Sequence, residues 1–161
     1  MRWLIAGLLT LTLSACEQNN TTLPQIAAGP RLALVADDVT VQIRIDPSQF
    51  PTVADQVADD VATLLGPPTA IREIGRAGLI LLMNGRFDRQ RAEDGRLIYI
   101  MDWDVREPGG TQVTLFRVGI VPQDPMSSGI SERDAQGLAW FVADRLTRDE
   151  AVRAIVLARR S

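Results

Sequence analysis

Few residues in this chain have side chains suited to chemistry, and most of them are charged. Asp102 and Asp104 flank Trp103 in the segment Leu97–Arg106 (LIYIMDWDVR). On a strand they point to one side about 7 Å apart. That spacing suits general acid–base work or a shared cation. It equally suits solvent-facing charge on an open sheet, balanced by cross-strand arginines such as Arg86 or Arg117. Arg86, Arg89, Arg91 and Arg96 crowd one charged stretch, where they could meet anionic head groups or an anionic polymer of a cell surface. Asp88, Glu93 and Asp94 are interleaved with them, so a solvated tip is the simpler reading. Asp55, Asp59 and Asp60 read as a solvated helix face rather than a cation site. Met126, with Trp140 further on, offers an apolar contact patch for a partner, although Trp140 also fits core or boundary packing. Cys16 is the one thiol.

What is missing narrows the field. The chain has no histidine, which removes the commonest metal ligand and general base and any Ser-His-Asp or Cys-His triad. All 17 basic residues are arginine, so Schiff-base and phosphate-loop lysines are absent too. No Gly-rich phosphate loop, metal-ligand spacing or internal repeat occurs, and nothing calls for a cofactor. The formal net charge is −3 and falls by one more if Arg2 is removed. An acidic chain of this kind is a poor nucleic-acid binder.

The setting of Cys16 is more specific. Met1–Cys16 reads MRWLIAGLLTLTLSAC: one basic residue, Arg2, an apolar run from Trp3 to Leu13, then small residues. These are the three parts of a secretory signal peptide. The apolar run is too short to span a hydrocarbon core of roughly 30 Å, which takes about 20 helical residues. Leu13-Ser14-Ala15-Cys16 resembles the lipobox of bacterial lipoproteins. The resemblance implies cleavage between Ala15 and Cys16, diacylation of the Cys16 sulfur and acylation of its new amino group. A single acyl chain holds a protein to a membrane only marginally, whereas two or three hold it firmly. The resemblance therefore implies a membrane-anchored, periplasm-facing envelope protein. In enteric members aspartate after the cysteine favours inner-membrane retention, so Glu17 favours the outer membrane.

The remaining sequence has to position the charged residues. Residues 16–30 are polar, then punctuated by Pro and Gly, and read as a flexible tether reaching roughly 20 Å. Residues 31–161 read as a single domain, long enough for a real core. Leu32–Val35 is a short strand or the start of the fold. Val39, Val41, Ile43 and Ile45 alternate with polar residues, as in a half-buried strand. Pro51–Leu65 has apolar residues Val53, Val57, Val61, Leu64 and Leu65 at helical spacing, with Thr52 as N-cap and Gly66-Pro67-Pro68 as the stop. Ala70–Ile74 is a strand or a helical turn.

Leu79–Asp88, Leu97–Arg106 and Thr111–Val121 then read as three strands joined by the turns Arg89–Arg96 and Glu107–Gly110, an antiparallel meander. Leu97, Tyr99, Met101, Trp103 and Val105 make one apolar face. Hairpin counting brings Arg86 and Asp88 near Ile98 and Ile100. Ser131 and Asp134 look like a capping box ahead of Ala135, Leu138, Phe141, Val142 and Leu146. A second cap-like pattern at Thr147–Glu150 leaves one bent helix or two. Arg159 and Arg160 suit a helix C-terminus.

This order of elements predicts an α+β two-layer sandwich: a mostly antiparallel sheet of about four strands, with two or three helices on one face. It is similar to that of small envelope lipoproteins that assist larger machines, such as the plug lipoprotein of the lipopolysaccharide translocon and the activators of peptidoglycan synthases. That resemblance implies a non-enzymatic accessory or assembly factor acting through protein or glycolipid contacts, with an envelope protein partner. The alternatives are a carrier of a hydrophobic ligand held between sheet and helices, and a hydrolase using Asp102 and Asp104.

Overall fold

Alternation of apolar and polar residues builds the centre of the molecule. A computed structural model describes residues 30–36, 39–46, 50–66, 78–124 and 129–160. Val39, Val41, Ile43 and Ile45 are buried along strand β2 (Val39–Asp46), while Arg44 and Asp46 face solvent. A period of two places one set of side chains in the core and the other outside it. The same rule buries Tyr99, Met101, Trp103 and Val105 on the strand Leu97–Arg106.

Five strands and three helices are formed by the described residues. They run β1 (Arg31–Ala36), β2, α1 (Pro51–Leu65), β3 (Leu79–Arg91), β4 (Leu97–Arg106), β5 (Gln112–Ile120), α2 (Glu132–Arg148) and α3 (Glu150–Arg160). The sheet order is β1-β2-β3-β4-β5. The architecture is α+β, with one strand more than the pattern predicted, because Arg31–Ala36 pairs antiparallel with β2. The sheet is mixed. β2 and β3 run parallel, since α1 lies between them and a crossover returns the chain in the same direction. β3, β4 and β5 form the antiparallel meander.

The β3–β4 hairpin is longer than its sequence indicated. Arg89, Gln90 and Arg91 stay in the strand, and the turn shrinks to Ala92–Gly95. It closes with the Ala92 N–H donating to the Arg96 carbonyl at 2.8 Å and the Gly95 N–H to the Ala92 carbonyl at 2.9 Å. Gly95 has φ 84°, a conformation available to glycine at no steric cost. The tighter turn corrects the register: Arg86 lies opposite Asp102, not Ile98, while Asp88 does face Ile100.

Helix boundaries follow their caps. Thr52 is not the N-cap of α1. Phe50 takes that position without a side-chain bond, and Pro51 starts the helix; its missing N–H costs nothing there. The buried stripe of α1 is Ala54, Val57, Ala58, Val61 and Ala62. Leu64 is exposed and Val53 and Leu65 are only half-buried, because the alanines bring the backbone close to its neighbours and set the face. Ser131 and Asp134 form the expected capping box on α2. α2 and α3 are separate helices, broken at Asp149. Its Oδ1 accepts from the Ala151 and Val152 N–H groups at 3.0 and 3.2 Å, and its Oδ2 accepts from the Thr114 hydroxyl at 2.8 Å. Asp149 thus caps α3 and ties it to β5.

The core lies between one sheet face and the helices. It joins Ala33, Val41, Ile43, Leu81, Met83, Trp103 and Phe116 from the strands to Val57, Val61, Leu138, Val142 and Val152 from the helices. Trp103 is 1% exposed and its ring lies over Gly85, where a Cβ would come within 2.7 Å of it. A larger residue at position 85 would displace the indole. Phe116 stacks beside it at 6.4 Å between ring centroids.

Candidate functional site

The opposite sheet face carries the paired carboxylates. Asp102 and Asp104 point away from the helices because Trp103 between them points toward the core. Cross-strand register surrounds Asp102 with Arg86 on β3 and Arg117 on β5. Arg117 donates twice to the Asp102 carboxylate, from Nε at 2.6 Å and from Nη2 at 3.0 Å. Arg86 reaches it at 4.0 Å. Asp104 accepts from Arg106 Nε at 2.7 Å; its Oδ1 is buried without a partner among the described residues.

Electrostatics follow from these contacts. The Arg117 hydrogen bonds, with help from the charges of Arg117 and Arg86, hold the Asp102 carboxyl below its ordinary range against the opposing effect of burial. A general acid needs the reverse, a carboxyl kept protonated near neutral pH. Asp102 is built to remain a carboxylate that accepts hydrogen bonds.

The hairpin arginines do not gather into one patch. Arg86 lies on the outer face, with Asp102. Arg89 and Arg91 lie on the other side of β3, beyond the cover of the helices, and are exposed. Arg91 donates to the Gly95 carbonyl at 2.7 Å, which closes the turn. Arg96 pairs with Asp94 at 2.6 Å, and its backbone and side-chain hydrogen bonds push the Asp94 carboxyl down.

The acidic residues of α1 also separate. Asp59 pairs with Arg31 at the start of β1. Burial, with the charges of Asp59 and Glu132, pushes the Asp60 carboxyl up. No group of three or more His, Cys, Asp or Glu able to hold a metal occurs among the described residues.

Apolar residues frame the charged band of the outer face. Leu115 is 59% exposed and lies opposite Asp104. Ile80, 43% exposed, and Leu32 lie toward the β1 edge. The band itself alternates in sign: Arg44, Arg86, Arg106 and Arg117 against Asp46, Asp88, Asp102 and Asp104. Leu115 went unnoticed in the sequence because Thr111–Val121 is apolar on both sides. Only its register against Asp104 marks it as outward.

Trp140 and Phe141 also depart from expectation. Both are exposed, at 52% and 45%, rather than part of the core stripe. Ala135, Leu138, Ala139, Val142 and Leu146 already fill that stripe, and at 100° per residue Trp140 falls on the far side of the helix. A groove of about 230 Å³ lies at the β1 edge, lined by Val35, Thr147, Val152, Arg153, Val156 and Leu157.

Residues 1–29, which include Ala15, Cys16 and all but the last residue of the expected tether, lie outside the described residues, as do Asp37-Asp38, Pro67-Pro68, Ala70–Ile74 and Met126. No helix among the described residues is long and apolar enough to cross a membrane.

No protein-family model matches the chain, and no curated protein matches it. Among solved structures, the 2.35 Å crystal structure of a minor lipoprotein from Acinetobacter baumannii matches at a TM-score of 0.39 and 6% identity, over 68% of this chain and 92% of that one.

Proposed function

We propose that this chain is a lipid-anchored, periplasm-facing protein of the bacterial envelope, acting without catalysis as an accessory factor for a larger envelope assembly. The observation that carries the reading is the sequence Leu13-Ser14-Ala15-Cys16 at the end of a short apolar run, a pattern whose chemistry is acylation of Cys16. Glu17 favours the outer membrane over the inner.

The outer sheet face is the surface proposed for contact with the partner. Its central charges are balanced, so a partner meets no net repulsion. Leu115 and Ile80 supply exposed apolar area beside them, so a partner would bury apolar surface together with hydrogen-bonding groups. The carboxylates serve this role better than hydrolysis, because Asp102 is held ionised by Arg117.

A photo-crosslinking residue placed at Leu115 in living cells tests the contact. The expected result is one discrete adduct at Leu115 and none at Glu93, which is exposed in the hairpin turn away from that face. Absence of any specific adduct at Leu115 contradicts the assignment of this face.

A further inference from the structure

The exposed aromatic pair on α2 belongs neither to the core nor to the outer sheet face. The Trp140 and Phe141 rings meet edge to face at 5.2 Å between centroids, forming one apolar ridge instead of two scattered residues. Trp140 lies near the middle of the solvent side of α2. Gly137, one turn earlier, has open space where a side chain would stand, so no side chain at that position covers the indole.

Arginines flank the ridge. Arg133 lies two turns before Trp140 on the same line, and Arg145 and Arg148 lie one and two turns after Phe141. Arg148 pairs with Asp144 at 2.8 Å. Arg133 and Arg145 are exposed and make no ion pair among the described residues. Aromatic rings bracketed by free guanidinium groups match the boundary between acyl chains and anionic head groups.

The path of the chain agrees with this placement. Arg31 opens β1 and pairs with Asp59 on α1, so the polypeptide enters the domain on the helical side, and α1 and α2 share the core. If Cys16 is acylated, the stretch up to Pro30 reaches roughly 20 Å, which keeps α2 within range of the bilayer. A tether also makes weak contacts effectively intramolecular.

We propose that α2 rests on the anionic surface of the membrane that holds the anchor, through Trp140, Phe141, Arg133 and Arg145. The inference rests on the anchor reading. In this pose the outer sheet face, on the far side of the sheet from the helices, points away from the bilayer and toward a partner.

The test uses the full chain produced in bacteria, checked for acylation at Cys16 by mass spectrometry. It is then placed in vesicles of phosphatidylglycerol and phosphatidylcholine whose acyl chains are brominated. Trp103 is 1% exposed inside the core and Trp3 leaves with the signal peptide, so Trp140 is the indole within reach of bromine. The expected result is an about two-fold loss of the emission that Trp140→Phe removes, as for a ring at head-group depth. That loss weakens in phosphatidylcholine alone and in the Arg133→Gln, Arg145→Gln double variant. Unquenched emission from an acylated chain overturns the docking and leaves the anchor standing. Equal quenching in neutral vesicles overturns the anionic-surface assignment. A chain without acylation at Cys16 overturns the anchor, and this inference with it.

Discussion

At the scale of single residues, Asp102 and Asp60 are two carboxyls pushed in opposite directions by their neighbours. Arg117 and Arg86 favour the ionised form of Asp102, so its folded pKa lies below the unfolded value of about 3.9. The stability it contributes is fully present above that unfolded value and is lost as pH falls through the folded one. Burial and like charge disfavour ionised Asp60, so its folded pKa lies above the unfolded value. Asp60 therefore destabilises the fold at neutral pH, and the penalty disappears as pH falls below the unfolded value. Urea unfolding across pH should show Asp102→Asn weaker than wild type at pH 7 by up to about 1 kcal/mol, the range of exposed pairs, with the gap closing in acid. Asp60→Asn should be more stable than wild type at pH 7, with that gap also closing in acid. A gap that is constant with pH for either variant contradicts the corresponding sign. The presence of both carboxyls was plain in the sequence, but their environments were not. Asp102 acquires its arginines through register, and Asp60 meets Glu132 only when α1 and α2 come together.

At the scale of elements, periodicity was legible where one face of a segment is core. β4 begins and ends where its alternation predicted, and β2 extends one residue past the pattern to Asp46. The parallel pairing of β2 and β3 was not legible, because residue spacing says nothing about which strand lies beside which. β1 was ambiguous for a related reason: a short apolar run fits a strand or a connecting segment equally well. The hairpin length was misread because Arg89–Arg91 look like loop residues, yet cross-strand pairing keeps them extended. At the α2–α3 break the two readings of Thr147–Glu150 are resolved by one side chain. Asp149→Ala removes both the cap and the Thr114 bond and should cost about 1–2 kcal/mol, seen as a lower urea midpoint and faster amide exchange in α3. Asp149→Asn keeps a capping acceptor and should cost less. Equal losses in the two variants would mean that the cap does not set the boundary.

At the scale of the whole molecule, the helical layer and the outer sheet face divide the surface in two. The charged outer face was visible in the alternation around Trp103. Its apolar frame emerged only with register, which turns Leu115 outward beside Asp104. Trp140 was harder still: a large aromatic next to a core stripe reads as core until the helix has a defined rotation. The proposed division of labour places helices toward the membrane and strands toward a partner, and both halves depend on how the chain is held.

The central claim is therefore the anchor, and Cys16→Ser tests it most directly. Cells carrying the wild-type or variant chain are labelled with a palmitate analogue, fractionated, and the recovered protein is unfolded in urea. The account predicts label and membrane association for wild type. For Cys16→Ser it predicts no label, loss from the washed membrane fraction and an unchanged urea midpoint, because in the proposed reading residues 16–30 serve only as a tether. A variant that still takes up label and stays with the membrane would contradict it.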